Sequence, residues 1–409
     1  MDRKKIAVVS IMYFWLPEEK GPSRFFYIAN MLGEMGYDVE VLTGSFQHFD
    51  KRQRDRAMLE NADVPFKITV IDQPSYSKNS DLKRLSGYRT VKKHLESYLK
   101  DKITEYDVVY CAVPPNDISA AVARLCHENN VPFIADIEDL WPEAMEAVLP
   151  KVPGLKMFLA PIKKDAEETY MYADAAVGTS DEYTSRCFLN NKREIPHATV
   201  YVGCDLAVFD KGVIDHSARI MKSSGEFWAV YAGSIGHTYD IETLVRAAGI
   251  IKERGINDIK IKILGQGVLM DELKVLAEEL GCTNLEFLGY QPYDMMAAYL
   301  VKGDVSINMF AKGAPQSIVN KVGDYFSSGR PVINTLESPE FMQLLESTES
   351  GTNVEPGKPE LLADAIIHLY NNKELCEKMG RNARALTEER FDRKTAYKAI
   401  VRLIEEVTN

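Results

Sequence analysis

FWAVYAGSIG, residues 227–236, is the stretch from which the fold is read. An apolar run from Phe227 to Ala232 ends in glycines at 233 and 236. A strand that is apolar on both faces belongs to a parallel sheet covered by helices. Residues 240–254 then carry helical periodicity, and IKIKILGQG, residues 259–267, repeats the strand-then-glycine pattern. Strand, helix and strand in succession imply right-handed crossovers and a doubly wound sheet.

The same alternation continues in both directions. Downstream come NLEFLG as a strand, a helix over 292–301, VSINMF as a strand, a helix over 317–328, PVINT as a strand and two helices within 359–386. Upstream, strands are expected at 5–11, 39–43, 66–71, 108–113, 132–137, 175–178 and 199–202, with helices at 24–35, 86–104, 117–129 and 155–172 between them. Periodicity lapses over 205–225, which reads as a linker. The fold class is therefore α/β. Two Rossmann-like domains are expected, 1–205 and 206–392, with a terminal helix at 393–409 packing back on the first. A chain of 409 residues suits two cores rather than one. Ligands of open α/β sheets lie beyond the carboxyl ends of the strands. Two such domains face to face would make a cleft.

The formal net charge of -11 argues against nucleic acid as a partner. The six cysteines are scattered, with no CxxC pair and no zinc spacing, which fits a reduced chain without a metal or other cofactor. The first apolar run is too short and too rich in β-formers for a signal peptide, and no run is long enough to span a bilayer. The expected location is the cytoplasm.

Five motifs carry chemistry. In Tyr231–Gly236, Gly233, Ser234 and Gly236 would bring backbone N–H groups to an anion, and Gly265 and Gly267 repeat the geometry after the next strand. Tight turns need the same glycines. In PQSIVNKVGDY, residues 315–325, Ser317 would cap a helix on which Lys321 and Asp324 share a face. Lys321 suits a diphosphate and Asp324 a ribose, although an i,i+3 surface ion pair has the same spacing. In DIEDLWPE, residues 136–143, Glu138 and Asp139 end an apolar strand. Acids there are costly unless solvated or functional, and a helix N-terminus also favours them. The aromatic loop from Tyr13 to Arg24 includes Gly21, Pro22, Ser23 and Arg24 at the edge where loops bind ligands. Lastly, residues 76–102 interleave basic residues with Leu and Tyr. Such a helix can lie on an anionic bilayer, or it can simply cover its own domain.

The Tyr13-to-Arg24 loop, ADIEDLWPE, YAGSIG, NLEFLGYQPYDMMAAYL and NKVGDYFSSGRPVI together resemble family 4 glycosyltransferases of the GT-B fold, in the bacterial branch that builds O-antigen and capsule polysaccharide. The resemblance implies a retaining, metal-independent transfer from a nucleotide-diphosphate sugar, UDP-linked and of the N-acetylhexosamine kind. The implied acceptor is a glycan or a polyprenyl-linked sugar, with peripheral attachment to the inner face of the plasma membrane through 76–102. Against the family's pattern of Glu, seven residues, Glu, the second position falls on Asp324 and the first on Gln316. The family's Arg and Lys after the first strand of the second domain are absent, and His237 and Thr238 stand in that neighbourhood. The resemblance assigns the diphosphate to Gly233, Ser234, Gly236 and Lys321, and the ribose to Asp324. The backbone of Ile318, Val319 and Asn320 would face the donor sugar, and Tyr290 would lie near the base. Asp139 and Glu138 would face the acceptor or the reacting centre. Two other readings stay open: a sugar-nucleotide epimerase or hydrolase on this fold, and a catalytically silent partner subunit.

Overall fold

The computed structural model describes residues 3–19, 24–77, 82–149 and 154–409. Two compact units emerge: Met1–Val200 joined by Tyr397–Asn409, and Tyr201–Ala396.

In the first unit the strands are β1 (Lys5–Val9), β2 (Asp38–Gly44), β3 (Phe46–Gln47), β4 (Arg52–Gln53), β5 (Lys67–Ile71), β6 (Val108–Val113), β7 (Phe133–Ile137), β8 (Ala175–Gly178) and β9 (His197–Thr199). Seven of them form one parallel sheet in the order β5-β2-β1-β6-β7-β8-β9. The order turns around between β1 and β6, so the loops leaving their carboxyl ends diverge and open a crevice. Strands β3 and β4 form a separate antiparallel hairpin. Every residue of β6 and β7 is buried, as two-sided helix cover demands.

The second unit holds β10 (Phe227–Ala232), β11 (Ile259–Leu264), β12 (Leu285–Gly289), β13 (Val305–Asn308), β14 (Val332–Asn334) and β15 (Gly351–Asn353). Their order, β12-β11-β10-β13-β14-β15, repeats the same winding, with the turn-around between β10 and β13.

Two local expectations fail. Residues 206–216 form a helix, Leu206–His216, rather than a linker. Asp205 caps it by accepting from the Val208 amide at 3.1 Å, and Phe209 is fully buried. The helix expected over 317–328 is shorter, Val322–Ser327. The β-branched pair Ile318-Val319 and the nearby Pro315 and Gly313 oppose its first turns. Gly313 itself sits at φ +73°. Ser317 consequently caps nothing, and its hydroxyl turns 3.5 Å toward Glu340.

Among the described residues, no helix is long and apolar enough to cross a membrane. In the helix Leu82–Lys100, Tyr88, Val91, Leu95 and Leu99 are buried in the core of the first unit. The apolar face expected to meet a bilayer is thus used inside the domain. Lys83, Arg89, Lys93 and Lys100 stay exposed.

Candidate active site

Lys321 defines one end of the site in the second unit. It precedes the first turn of the helix Val322–Ser327, and its amine enters a box of three rings. The ammonium lies 4.7 Å from the centroid of Tyr231, 4.4 Å from Tyr239 and 5.1 Å from Phe310. Tyr231 belongs to β10 and Phe310 follows β13, so the box stands at the turn-around of the sheet. Lys321 Nζ also donates to the Tyr231 hydroxyl at 3.5 Å, and that hydroxyl donates to the Ser234 carbonyl at 2.6 Å. A side chain on Gly233 would meet Lys321 Nζ at 3.0 Å, so loop and lysine are neighbours. Burial pushes the Lys321 amine down to about 7.

The glycines divide by purpose. A Cβ on Gly265 would strike the Gly233 carbonyl at 1.8 Å, and one on Gly267 would strike the Ile235 carbonyl at 1.9 Å. These two glycines let the loops after β10 and β11 interlock, which is a packing role. Gly236, by contrast, faces open space. The next helix, Ile241–Glu253, begins five residues beyond Gly236, and the Asp240 carboxylate already caps it through the Thr243 amide at 3.2 Å. Any anion at Gly236 would therefore meet loop backbone without that helix terminus behind it.

Asp324 does not pair with Lys321. Its carboxylate accepts from the Tyr293 hydroxyl at 2.8 Å. Burial pushes it up to about 6, with Tyr293 and then Arg393 pulling the other way. The shared helix face is lost because Lys321 lies before the helix rather than within it. Gln316 is half-buried, and its buried Oε1 has no hydrogen-bond partner. Ile318 and Val319 are half-buried, while Asn320, Ser234 and Tyr290 are exposed, Tyr290 just past the end of β12.

In the first unit, the Arg24 side chain is 3% exposed and so cannot serve as an open loop residue. It holds Asp136 through two bonds of 2.8 and 3.1 Å and contacts Glu138 at 2.9 Å. It also donates to the Val200 carbonyl at 2.8 Å and lies over the ring of Tyr397. Burial opposes its charge, yet Asp136, Tyr397 and Glu138 hold its pKa well above the ordinary value. Asp139 faces elsewhere: it accepts from the Trp141 indole at 3.0 Å and the Leu140 amide at 2.9 Å. Burial raises its pKa against those two donors. Gly21, Pro22 and Ser23 lie outside the described residues.

Residues 215–386 match the family model described as Glycosyl transferases group 1. The second unit is a group 1 glycosyltransferase domain. Within it stand Lys321, Asp324 and the glycine loops. The chain is also 26% identical over 175 residues to WcaI of Escherichia coli (strain K12), a glycosyl transferase named for colanic acid biosynthesis. That match spans 42% of this chain and 41% of the relative. Among solved structures, Anabaena Alr3699/HepE in complex with UDP has a TM-score of 0.70 at 15% identity, over 98% of this chain and 100% of that one. WaaG, a glycosyltransferase involved in lipopolysaccharide biosynthesis, has a TM-score of 0.64 at 15% identity, over 97% and 99%. At such identity these structures show the shared GT-B fold alone.

Sequence reasoning overlooked the rings around Lys321 and the hydroxyl on Asp324. Tyr231, Tyr239, Phe310 and Tyr293 come from four segments of the glycosyltransferase domain, and no linear spacing joins them. One signal was available: a buried tyrosine must find a partner for its hydroxyl, and Tyr231 sits one residue before the end of its strand.

Proposed function

We propose that this protein is a retaining, metal-independent glycosyltransferase that moves a sugar from a UDP-sugar to a glycan or lipid-linked acceptor in cell-surface polysaccharide synthesis. The observation that carries the reading is Lys321, a cation sunk among rings and touching the Gly233 loop at the sheet's turn-around. A diphosphate there would meet backbone N–H groups and one desolvated ammonium, a strong combination for an anion. Asp324 would receive ribose hydroxyls, and Tyr290 would lie near the base. Ile318, Val319 and Asn320 stand before the helix; the Val319 carbonyl already accepts from the Val322 amide at 3.1 Å, and the remaining backbone groups of this segment would line the sugar. The acceptor hydroxyl would attack from the side on which the diphosphate leaves, and the leaving phosphate would take its proton. The protein then contributes positioning and charge stabilisation.

Measuring UDP release from UDP-sugars with and without acceptor glycans tests this reading. Acceptor-dependent release supports transfer. Equal release in both arms would make the protein a hydrolase or epimerase, and no UDP binding would make it a silent subunit. Attachment to an anionic membrane surface would rest on the exposed lysines of the helix Leu82–Lys100 alone, since its apolar face is buried. Sedimentation with anionic liposomes should then fall sharply as salt rises.

A further inference from the structure

The three rings around the Lys321 ammonium differ in what they can still offer a ligand. Phe310 is buried and has no hydroxyl. Tyr231 is buried too, and its hydroxyl is engaged: it accepts from Lys321 Nζ at 3.5 Å and donates to the Ser234 carbonyl at 2.6 Å. Tyr239 is half-buried, so this ring reaches the surface. Its centroid lies 4.4 Å from the ammonium, the shortest of the three distances. Among the described residues its hydroxyl makes no hydrogen bond.

The segment that carries Tyr239 is fixed from two sides. The Tyr239 amide donates to the Gly236 carbonyl at 2.9 Å, closing a turn on the glycine that faces open space. The Thr238 carbonyl accepts from the Ala311 amide at 2.9 Å, which ties this turn to the segment bearing Phe310. The Tyr239 and Phe310 rings lie 5.0 Å apart. A ring held on a closed turn loses little freedom when a ligand arrives. Residues 233–240 carry no lysine or arginine. Their one acid, Asp240, turns its oxygens to Thr243, at 3.2 and 2.6 Å. The loop therefore meets an anion with backbone amides and neutral donors, and its carboxylate is occupied elsewhere.

We propose that Tyr239 serves the donor site twice: its ring holds the Lys321 ammonium in place, and its hydroxyl donates to the diphosphate that the ammonium receives. The inference rests on the donor-site reading above and deepens it. An aromatic face attracts a cation without neutralising it, so the charge of Lys321 is left for the phosphate. A carboxylate in the ring's place would hold the amine but cancel that charge. The phenol supplies a further donor without a second cation to desolvate.

The test is calorimetric titration of the full chain with UDP. It compares the wild type, Tyr239→Phe, Tyr239→Leu and Lys321→Ala, and each Tyr239 variant combined with Lys321→Ala. Tyr239→Phe keeps the ring and should bind UDP about tenfold more weakly, the size of one charge-assisted hydrogen bond. Tyr239→Leu also loses the ring and should weaken UDP by about threefold more. In the Lys321→Ala background that extra loss should vanish, because the ring acts through the ammonium, whereas the loss from the hydroxyl should remain. Uridine, which has no phosphate, should bind all the variants alike, which also shows that they are folded. Equal UDP affinity in Tyr239→Phe and the wild type overturns the hydroxyl contact. An extra loss in Tyr239→Leu that persists without Lys321, or a fall in uridine affinity as large as that for UDP, makes Tyr239 a packing residue and overturns its positioning role. A wild type that binds no UDP overturns the donor reading and this inference with it. UDP binding that is lost in Lys321→Ala but kept in both Tyr239 variants overturns this inference alone.

Discussion

The two units bury charge in opposite ways. In the first, Arg24 meets Asp136 and Glu138 in a closed set that also takes in Tyr110, Tyr397 and the Val200 carbonyl. The guanidinium stays firmly charged. In the second, Lys321 and Asp324 are three residues apart yet do not meet. One sits among rings and the other under a tyrosine hydroxyl, and each drifts toward neutrality, to about 7 and about 6. A closed ion set of this kind holds segments together: it joins the start of one helix, the end of β7 and Tyr397 at the start of the terminal segment. Half-buried groups whose pKa values are pushed toward neutrality mark a candidate binding site.

The sharpest break in this comparison is Arg24→Ala. Among the described residues, Asp136, fully buried, would then keep the Tyr110 hydroxyl at 2.6 Å. Leaving a buried charge unpaired costs about 3–5 kcal/mol. Urea unfolding should show a loss of that order in the first unit. A loss below about 1 kcal/mol would mean the set is open to water.

Lys321→Ala should behave in the reverse manner. Removing a desolvated amine that has no carboxylate beside it among the described residues should leave stability unchanged or improved. UDP affinity should fall by about 1.5–3 kcal/mol, the worth of a hydrogen bond to a charged group. Calorimetry reads the binding and thermal unfolding reads the stability. Equal UDP affinity in the variant would remove Lys321 from the donor site.

A smaller effect follows from pH. The folded amine releases its proton near 7, whereas the unfolded one holds it to about 10.5. The unfolded state therefore binds more protons between those values, and stability of the ligand-free protein should rise with pH across that window. Bound UDP favours the charged amine, so affinity should weaken as pH rises above about 7, with proton uptake on binding. Lys321→Gln is the reference, because the nucleotide phosphate titrates too. The same slope in both proteins would show that Lys321 is not the group responsible.

The sheets were legible because both-face burial leaves continuous apolar runs, as in VVYCAV and FWAVYA. The hairpin at 46–53 was not, since its turn, His48-Phe49-Asp50-Lys51, has no glycine or Asn-Gly pair to mark it. Lys321 and Asp324 could be singled out from spacing, but their surroundings could not. Spacing predicts a shared face only if the helix starts early enough, and Ile318-Val319 delay it. Gly265 and Gly267 look like anion loops in sequence because close backbone approach requires glycine whether the neighbour is a phosphate or another loop. Arg24 sits among loop residues in sequence, and only its distant partner Asp136 turns it inward.

The smallest expected effect belongs to Tyr293→Phe. The Tyr293 hydroxyl donates to Asp324 at 2.8 Å and is the largest influence holding that carboxyl below where burial alone would put it. Removing it should raise the Asp324 pKa above about 6. A carboxyl raised in the folded state contributes stability that is full below its ordinary value and is lost as pH climbs through the folded one. The variant loses the hydrogen bond mainly to the ionised form, so its deficit should be slight near about pH 4 and grow toward about pH 8. With the tyrosine partly exposed, that deficit should stay near 1 kcal/mol or less. Thermal midpoints of both proteins across this range decide it. A deficit that does not change with pH would mean that Asp324 stays in one protonation state throughout. It would then be no more poised for a ligand than the closed set around Arg24.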